Sequence, residues 1–381
     1  MPQIRQPKIM ILTVTHGAAH LRVGRAMREA LLDLRPEAEV EVVDALRHCT
    51  RWFRAYYNSY VIPLRLWPSF WGWIESIQHQ SESTGPGWLY SRGAQPLFRY
   101  LRDFAPDVVI ATEVGTCELA CMFKREERAS FILVGATAGV DVDRPWAQPE
   151  VDLYPVMPGD PAAQLEMAGV PLAKILPCGV PIDPAFGSLP DRQSVRTRLK
   201  LDSNLPVVLV LFGGTGHGRP RRILEQLRKI PKLFQAVFIT GRNRRLEEEV
   251  RAECQGHAGC RVLGWVDNMH EWLAAADLVL SKPGGMTVTE AINSAVPLLA
   301  LDPLPGAERR ACNLIEKWGV GFLVKHYAEL APTIERLLSN PQELSEMRGK
   351  ARTLSRPNAA RDAAQAVLAL YEARSSRIAK P

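Results

Sequence analysis

Three short turns in the sequence place small residues next to histidine or threonine, and turns of this kind can hold a phosphate-bearing ligand. They lie at residues 15–20, 112–116 and 212–218. Each follows an apolar run typical of a buried strand. Small residues let a ligand approach the backbone, and the amide groups of a following helix N-terminus favour negative charge. Each turn alone is explained as a tight turn, but three of them facing one cleft favour a phosphorylated ligand.

A fourth turn, at residues 281–290, carries the clearest chemical signal. The letters SKPGGMTVTE describe a strand ending at Ser281, a turn, and a helix starting near Thr287. Free backbone N–H groups and the positive end of a helix dipole suit a diphosphate. Glu290 lies in that helix, where its carboxylate can either cap the backbone or accept from a ribose diol. None of the turns matches G-x-x-x-x-G-K-[ST], which argues against a P-loop kinase.

The elements that must position these turns alternate along the chain. Short β-rich runs, such as residues 8–15 and 206–212, alternate with amphipathic stretches, such as residues 21–34 and 287–294. Continuous apolar strands with crossover helices predict parallel sheets that are covered on both faces. The pattern restarts after residues 181–205, which are rich in Pro, Asp and Ser. We therefore predict two similar α/β domains with a cleft between them, where ligands bind beyond the carboxyl ends of the strands.

The predicted boundaries follow from that break. Residues 1–190 form a first Rossmann-like domain, residues 191–357 a second one, and residues 358–381 a C-terminal helix and tail. The length of 381 residues fits about two domains. A composition of 46% hydrophobic and 23% charged residues excludes a disordered or fibrous chain. The net charge of +6 allows an anionic partner: a phosphate, a membrane surface or a nucleic acid.

Cysteine usage and hydropathy give expectations about the compartment. The 7 cysteines are widely spread and none forms C-x-x-C. We therefore predict reduced, mostly buried thiols in a cytoplasmic protein, and no zinc site. No apolar run approaches the roughly 18 residues of a membrane span. The apolar residues 9–14 are too few for a signal peptide, and we interpret them as the first buried strand.

The segments at residues 262–290 and 303–308 resemble the donor-binding half of GT-B glycosyltransferases. The letters KPGGMTVTE and PGAE fit the K-P-G-G-x-T-x-T-E and P-G-x-E motifs of the family that contains monogalactosyldiacylglycerol synthases and processive diacylglycerol glucosyltransferases. The resemblance runs from about residue 8 to about residue 338 and is strongest over residues 262–324. A more distant similarity is to the N-acetylglucosaminyltransferase of peptidoglycan lipid intermediates. The resemblance implies a GT-B fold, with two Rossmann-like domains and a cleft between them.

The resemblance also implies that a UDP-sugar binds mainly to the second domain, as a substrate, with no cofactor and no metal ion. Each part of the donor has its own group of residues: Val266 and Met269 near the uracil, Glu290 at the ribose, Gly284, Gly285 and Thr287 at the diphosphate, Glu308 and Asn313 at the sugar, and Gly214 across the cleft from the diphosphate.

His20 is the predicted catalytic base. The family carries a histidine in a G-x-G-H pattern at the first turn, where this chain has Gly17-Ala18-Ala19-His20. A histidine that titrates near neutral pH can take a proton from an acceptor hydroxyl. The hydroxyl would then attack the anomeric carbon opposite the UDP and invert its configuration. His16 lies in the same turn and is a rival for this role.

The chain departs from the family pattern in the first turn and in the predicted sugar-side loop. The family's P-G-Q-E-K-x-N loop reads PGAERRA, so Ala307 and Ala311 replace two amide side chains. Hydroxyl recognition depends on such hydrogen bonds, so the sequence leaves the sugar open. Ala19 replaces a glycine of the first turn. Asp141 and Asp143 mimic a D-x-D metal motif, which we interpret as a solvated acidic loop, and we assign no metal.

Residues 51–90 hold 11 of the 28 aromatic residues, with arginines among them. Tryptophan, tyrosine and arginine together suit a membrane interface. We therefore predict peripheral attachment to the inner face of the cell membrane, with Trp67 and Trp71 as anchors and Gly17 on the acceptor side. The alternative is a pair of helices that pack on the first sheet. A nucleic-acid partner is not expected, because no single-strand-binding pattern accompanies the aromatic residues.

These features together predict an inverting transferase. It moves a hexose from a UDP-sugar to a lipid hydroxyl at the cytoplasmic membrane face. Diacylglycerol is the predicted lipid. Two alternatives stay open: an N-acetylglucosaminyltransferase acting on a polyprenyl-linked acceptor, and a UDP-sugar-binding regulator with little turnover. The number of sugars added and the oligomeric state are also open.

Overall fold

The structure is a computed structural model that describes most of the chain: residues 6–15, 18–59, 66–214, 216, 218–256 and 259–378. The chain divides into two compact units. The first unit comprises Met1–Pro184 and Arg356–Pro381, and the second unit comprises Ala185–Ser355. Both are built on parallel sheets, so the predicted α/β class with two Rossmann-like domains is confirmed.

A four-stranded parallel sheet with the order β2-β1-β3-β4 forms the centre of the first unit. Its strands are β1 (Lys8–Thr13), β2 (Glu39–Asp44), β3 (Val108–Ala111) and β4 (Ile132–Gly135). β1 pairs with β2 from Lys8↔Glu39 to Thr13↔Asp44 and with β3 on its other side. Every residue of β3 and β4 is buried. Helices cover the faces of such a sheet, which is why β3 and β4 are continuously apolar.

Within the described residues, seven α-helices and a small two-stranded sheet complete the N-terminal part of the first unit. The small parallel sheet pairs β5 (Tyr154–Pro155) with β6 (Ile175–Leu176). The helices are α1 (Ala18–Leu34), α2 (Arg51–Asn58), α3 (Pro68–Gln80), α4 (Gly87–Gly93), α5 (Gln95–Phe104), α6 (Val114–Glu126) and α7 (Asp160–Met167).

The first and the last helix of the first unit add detail to the sequence prediction. α1 begins at Ala18 rather than at residue 21, because the alanines at 18 and 19 favour helix. The first turn of α1 therefore contains His20. The last helix, α16 (Ala359–Ile378), returns to the first unit and packs against α1. An ion pair of 3.1 Å between Arg361 and Asp33 accompanies that packing.

The second unit has a six-stranded parallel sheet with the order β12-β11-β10-β7-β8-β9. The strands are β7 (Val207–Leu211), β8 (Gln235–Ile239), β9 (Cys260–Leu263), β10 (Leu278–Ser281), β11 (Leu298–Leu301) and β12 (Gly321–Val324). The helices are α8 (Arg192–Arg198), α9 (Pro220–Leu227), α10 (Arg244–Cys254), α11 (Met269–Ala275), α12 (Gly285–Asn293), α13 (Ala307–Trp318), α14 (Leu330–Ser339) and α15 (Pro341–Leu354).

The strand order reverses once in each of these two sheets. In the first sheet the chain continues from β1 to β2 on one side and then to β3 on the other, so the reversal lies between β1 and β3. In the second sheet the reversal lies between β7 and β10. Ligands of open parallel sheets bind beyond the carboxyl ends of the strands at such a reversal. The turns after β1, β3, β7 and β10 all occupy these positions.

Two cysteines differ from the prediction of reduced thiols. Cys254 ends α10 and forms a disulfide with Cys260, which begins β9; their Cα atoms are 5.9 Å apart, an ordinary separation. The prediction was therefore wrong for this pair. The other five cysteines are free and buried. Burial raises the pKa of the Cys49 and Cys178 thiols to about 12, which suits packing rather than nucleophilic chemistry.

None of the helices within the described residues is both long enough and apolar enough to cross a membrane.

Candidate functional site

The reversal of the first sheet holds the predicted catalytic base. His20 is half-buried in the first turn of α1. Its Nδ1 lies 2.8 Å from the carbonyl oxygen of Thr112, the residue after β3. A carbonyl only accepts hydrogen bonds, so Nδ1 carries the proton and Nε2 keeps its lone pair. Nε2 is therefore the atom able to take a proton. His16 and Gly17 lie outside the described residues, and their roles stay predictions.

The second glycine turn supports His20 through a buried network. Glu113 caps α6 by accepting from the Thr116 N–H at 3.0 Å, and the hydroxyl of Tyr57 donates to Glu113 at 2.8 Å. A Cβ on Gly115 would lie 2.0 Å from the Tyr57 oxygen, so glycine is needed for this close approach. Burial raises the pKa of Tyr57 well above its usual range and keeps its hydroxyl a donor. The turn that supplies the Thr112 carbonyl is thus held firmly in place.

The third glycine turn interlocks with the turn after β8. Gly213 and Gly241 have positive φ angles of 71° and 67°. A Cβ on Gly241 would lie 2.5 Å from the carbonyl oxygen of Gly213 and 2.9 Å from that of Gly214. The Asn243 side chain donates to the Gly216 carbonyl at 2.8 Å. Gly214, a predicted donor-binding residue, is half-buried within this pair of turns. Any side chain at residue 241 would push the two turns apart.

The turn between β10 and α12 carries the predicted diphosphate residues. Gly284 is the residue before α12, and Gly285 and Thr287 lie in the first turn of that helix. A Cβ built on Gly284 would meet none of the described atoms within 4 Å, so this side of the turn is open. The N-terminus of a nine-residue helix therefore faces free space beside a glycine, which is the arrangement that admits an anion.

Glu290 lies in the second turn of α12 and is only 2% exposed. A capping box uses the third residue of a helix, which is Thr287 here, so the cap interpretation of Glu290 was wrong. Its predicted role at the ribose stays a prediction.

Positive charge flanks the reversal of the second sheet. A small depression beyond the strand ends is lined by residues of the turns after β7, β10 and β11, among them Arg219, Lys282 and Asp302. The hydroxyl of Tyr327 donates to Asp302, and the Ser281 hydroxyl donates to the Leu211 carbonyl at 3.1 Å, which ties β10 to β7. Lys282 belongs to the K-P-G-G motif, and its position beside the end of β10 places a positive charge at this depression.

The predicted sugar-side residues differ in burial and in hydrogen bonding. Glu308 accepts from the Leu304 N–H at 2.6 Å and thereby closes the loop between β11 and α13. Burial raises the pKa of Glu308, and that hydrogen bond and Lys282 limit the rise. Asn313 is exposed on α13, whereas Ala311 is buried. An amide side chain at 311 would therefore need space inside the helix packing.

Val266 and Met269, predicted near the uracil, are both half-buried after β9. The adjacent Trp265 lies under the guanidinium of Arg242, whose Cζ is 4.2 Å from the ring centroid. The Trp265 indole N–H donates to Asp267 at 2.8 Å. An ordered aromatic platform therefore stands beside the predicted uracil residues.

The aromatic stretch divides into a buried and an exposed set. Phe53 and Tyr90 are buried and pack edge to face, with ring centroids 5.2 Å apart. Trp67 is 72% exposed and Trp88 is 65% exposed. The first set therefore packs inside the first unit, as the packing alternative predicts, and the second set is exposed. Attachment to a membrane through the exposed set stays a prediction. The side chain of Trp71 lies outside the described part of the structure.

Asp141 and Asp143 are half-buried and hydrogen-bonded, so the loop is less solvated than the sequence predicts. The Gln164 amide donates to Asp141 at 2.8 Å, and His79 contacts Asp143. The ligand atoms of His79, Asp141 and Asp143 lie within 4.8 Å of one another. Among the residues that the structure describes, these three form a group that could hold a metal ion. The predicted absence of a metal stays a prediction.

Comparisons with known proteins agree with this arrangement. The family model described as monogalactosyldiacylglycerol (MGDG) synthase matches residues 20–182, and the model described as glycosyl transferases group 1 matches residues 191–354. Processive diacylglycerol beta-glucosyltransferases from Bacillus cereus and Bacillus mycoides are each 25% identical to this chain. The alignments cover 96% and 98% of this chain and 94% and 97% of those relatives.

Two solved structures show the same fold. MurG from Acinetobacter baumannii matches with a TM-score of 0.58 at 14% identity, over 95% of this chain and 99% of that one. A putative UDP-N-acetylglucosamine 2-epimerase from Listeria monocytogenes matches with a TM-score of 0.60 at 17% identity, over 96% and 97% of the two chains. At these identities the likeness establishes the fold alone.

The predicted GT-B fold is confirmed by these structures. The two family models and the aligned relatives confirm the predicted class of enzyme, a glycosyltransferase. Within that class, the predicted resemblance to the monogalactosyldiacylglycerol synthase and processive diacylglycerol glucosyltransferase family is also confirmed.

Proposed function

We propose that this protein transfers a hexose from a UDP-sugar to the hydroxyl of diacylglycerol with inversion at the anomeric carbon. The observation that carries the proposal is His20 at the reversal of the first sheet, with Nδ1 protonated towards the Thr112 carbonyl and Nε2 left as a base. The aligned relatives are named for glucosyl transfer to diacylglycerol, which supports the same class of acceptor.

In the proposed reaction, Nε2 of His20 takes the proton of the acceptor hydroxyl. The hydroxyl oxygen forms a bond to the anomeric carbon, and the bond from that carbon to the diphosphate oxygen breaks. UDP leaves with the electron pair. The Thr112 carbonyl stabilises the imidazolium that forms, because it accepts from the other ring nitrogen.

The second unit is proposed to hold the UDP group without a metal ion. The N-terminus of α12 at Gly284 and Gly285 offers backbone N–H groups and a positive dipole end to the diphosphate. Lys282 and Arg219, at the adjacent strand ends, add charge that offsets the developing negative charge of the leaving UDP.

Access to a membrane-bound acceptor is proposed to come from peripheral attachment at the cytoplasmic face of the membrane. Exposed Trp67, Trp73 and Trp88 support this location, since tryptophan rings sit favourably at the headgroup level.

The test is a panel of UDP-sugars crossed with lipid acceptors, with products identified by mass spectrometry. We expect a hexosyl diacylglycerol of inverted configuration, formed also in the presence of a chelator. A product only with a polyprenyl-linked acceptor and UDP-N-acetylglucosamine would replace the proposal by the first alternative. UDP-sugar binding without any product would favour the regulator.

A further inference from the structure

A group of arginines surrounds the start of β10 in the second unit. Asp277, the residue before β10, accepts hydrogen bonds from three of them: Arg192 at 2.8 Å, Arg196 at 2.6 Å and Arg348 at 2.8 Å. The first two belong to α8 and the third to α15. The group lies at the amino end of β10, whereas the proposed diphosphate turn follows the carboxyl end of the same strand. It is therefore separate from the proposed donor site.

The acceptor capacity of Asp277 is used up inside this group. Its Oδ1 accepts from Arg192 and Arg348. Its Oδ2 accepts from Arg196 and, at 2.9 Å, from the Val207 N–H. A carboxylate offers about four acceptor positions, and each of these bonds occupies one. Asp277 therefore has no capacity left for the other N–H groups of these arginines.

Unused donors remain on two of the arginines. A guanidinium has about five N–H donors. The Nε of Arg348 is buried and has no hydrogen-bond partner among the described residues. Within the same part of the chain, Arg192 donates through Nη1 alone, to Asp277. Arg196, by contrast, is buried and also donates through Nε and Nη2 to the Ala275 carbonyl, so it holds the fold together.

Positive charge exceeds negative charge in this group. Among the described residues, Asp277 is the one carboxylate that pairs with these arginines. Arg352, one helical turn after Arg348 on α15, adds a further guanidinium, and its side chain pairs with none of the described carboxylates. Burial lowers the pKa of Arg192 to about 10, and the charge of Arg348 acts in the same direction. Like charges packed together repel one another, and a bound anion offsets that repulsion.

Access and charge narrow the class of ligand. The side chain of Arg192 is 32% exposed, that of Arg348 is 19% exposed, and Arg352 is exposed, so an ion can reach the group from solvent. Planar guanidinium groups bind carboxylates and phosphates through paired hydrogen bonds. A phosphate monoester carries a charge of about −2 at neutral pH, twice that of a carboxylate. The surplus of positive charge therefore favours a phosphate group.

We infer that Arg192, Arg348 and Arg352 form a binding site for a phosphate group at the amino end of β10. Arg192 and Arg348, which Asp277 holds side by side, donate to the phosphate oxygens, and Arg352 adds charge at the rim. The phosphate belongs either to a soluble molecule or to the headgroup of a lipid, since both present the same oxygens to the arginines. The site is additional to the donor site and does not rest on the proposed function.

Two variants probe the site, and a third serves as the control. Arg352→Gln removes one charge from an exposed position, where substitutions change stability little. Arg192→Gln removes a guanidinium that contacts Asp277. The control is Arg198→Gln, an equal change of charge on the same helix as Arg192, at a residue that pairs with Glu271 at 2.6 Å and lies outside the group.

The first measurement is calorimetry of the full chain with inorganic phosphate. Saturating UDP is present throughout to occupy the proposed donor site, and sodium chloride holds the ionic strength constant. We expect the wild type and Arg198→Gln to bind phosphate equally. The affinity should fall about tenfold in Arg192→Gln, which loses charged hydrogen bonds, and about threefold in Arg352→Gln, which loses an exposed charge. Thermal unfolding shows whether each variant is folded; if Arg192→Gln is not, Arg352→Gln decides.

The second measurement distinguishes the two sources of phosphate. The chain is mixed with phosphatidylcholine vesicles, with or without dihexadecyl phosphate, and recovered by flotation. A lipid source predicts that the two site variants float less than Arg198→Gln on the phosphate-bearing vesicles and equally on phosphatidylcholine alone. A soluble source predicts equal flotation of all three variants, with the calorimetric difference retained. Site variants that match Arg198→Gln in both measurements, or a wild type that binds neither probe, overturn the inference. The proposed function is unaffected by that outcome, because sugar transfer is measured separately.

Discussion

The chemistry proposed for the two strand reversals uses different parts of the chain. In the first unit the proposed reactive atom belongs to a side chain, His20, whose Nδ1 contacts the Thr112 carbonyl. In the second unit the groups proposed to bind the diphosphate are backbone N–H groups at Gly284 and Gly285. A proton acceptor must be a titratable side chain, whereas a diphosphate is held by amides and a helix dipole. The first region therefore depends on the orientation of one ring, and the second on close approach to the backbone.

Removing the imidazole should have the largest effect. In His20→Ala we expect turnover to fall by about 10² or more, because general base catalysis is lost. The affinity for UDP should stay unchanged, because its predicted site lies in the second unit. Steady-state kinetics and UDP calorimetry on the same preparation test both halves of the statement. Retained turnover in His20→Ala, with a collapse in His16→Ala, would move the base to His16.

Adding one methyl group to the turn before α12 should lower the affinity for UDP, which is the property that the His20 variant leaves unchanged. In Gly284→Ala we expect UDP affinity to fall about tenfold, since a Cβ there occupies the space through which the diphosphate approaches. Stability should stay within about 0.5 kcal/mol, because Gly284 has a φ of −64° and a ψ of 143°, a conformation open to any residue, and the new Cβ meets none of the described atoms within 4 Å. Calorimetry with UDP and thermal unfolding are the measurements.

The matched control for this change is Gly349→Ala, in α15, where a Cβ also meets none of the described atoms within 4 Å. UDP affinity should be unaffected there. Equal affinities for Gly284→Ala and wild type would show that the diphosphate does not approach the turn before α12.

Tyr57, which helps to hold the turn beside His20, should have a smaller effect on turnover. Its variant distinguishes a residue that positions the base from one that only stabilises the fold. In Tyr57→Phe the partly buried hydrogen bond to Glu113 is lost, at a cost of about 1–2 kcal/mol in the free energy of unfolding. We expect kcat to fall several-fold with KM for the donor unchanged, because the turn that supplies the Thr112 carbonyl is loosened. The pH–rate profile should also shift, since the same carbonyl stabilises the imidazolium. A change in stability with unaltered kcat and profile would limit Tyr57 to a structural role.

The sequence predicted the parts of this comparison that depend on local patterns. Apolar runs and crossover helices predicted the parallel sheets, and the motif at residues 281–290 predicted the turn before α12. These features depend on residues close together in sequence, and their physical signals are strong. The observed start of α1 at Ala18 lies three residues before the predicted start at residue 21, because the alanines at 18 and 19 are strong helix formers in the turn where the family has glycine.

The features that the sequence could not predict depend on distant residues. Tyr57 supports Glu113 across 56 positions, and its aromatic side chain looked like part of an interfacial belt. The disulfide between Cys254 and Cys260 depends on a turn that brings α10 back to β9. Asp141 and Asp143 looked solvated because neither Gln164 nor His79 is near them in sequence. Tertiary contacts decided each of these cases.

The two units should also respond to acid in opposite ways. In the first unit, burial raises the pKa of Glu118 to about 7, although the Thr84 N–H donates to it at 2.7 Å. In the second unit, burial acts to raise the pKa of Asp277. The Val207 N–H, at 2.9 Å, and neighbouring arginines, including Arg196, outweigh burial and bring that pKa below its usual value.

The signs follow from proton linkage. The folded pKa of Glu118 lies above the ordinary value of 4.5, so its contribution to stability is complete below that pH and is lost as pH rises through about 7. The loss is on the order of 3 kcal/mol. Asp277 contributes stability above its ordinary pKa of 3.8, and that contribution is lost as the pH falls further.

Thermal unfolding of Glu118→Gln and Asp277→Asn as a function of pH is the measurement. Relative to wild type, we expect Glu118→Gln to gain stability as pH rises towards about 8, and the destabilisation in Asp277→Asn to shrink as pH falls below about 4. Parallel profiles for the wild type and either variant would show that the carboxylate concerned does not couple folding to pH.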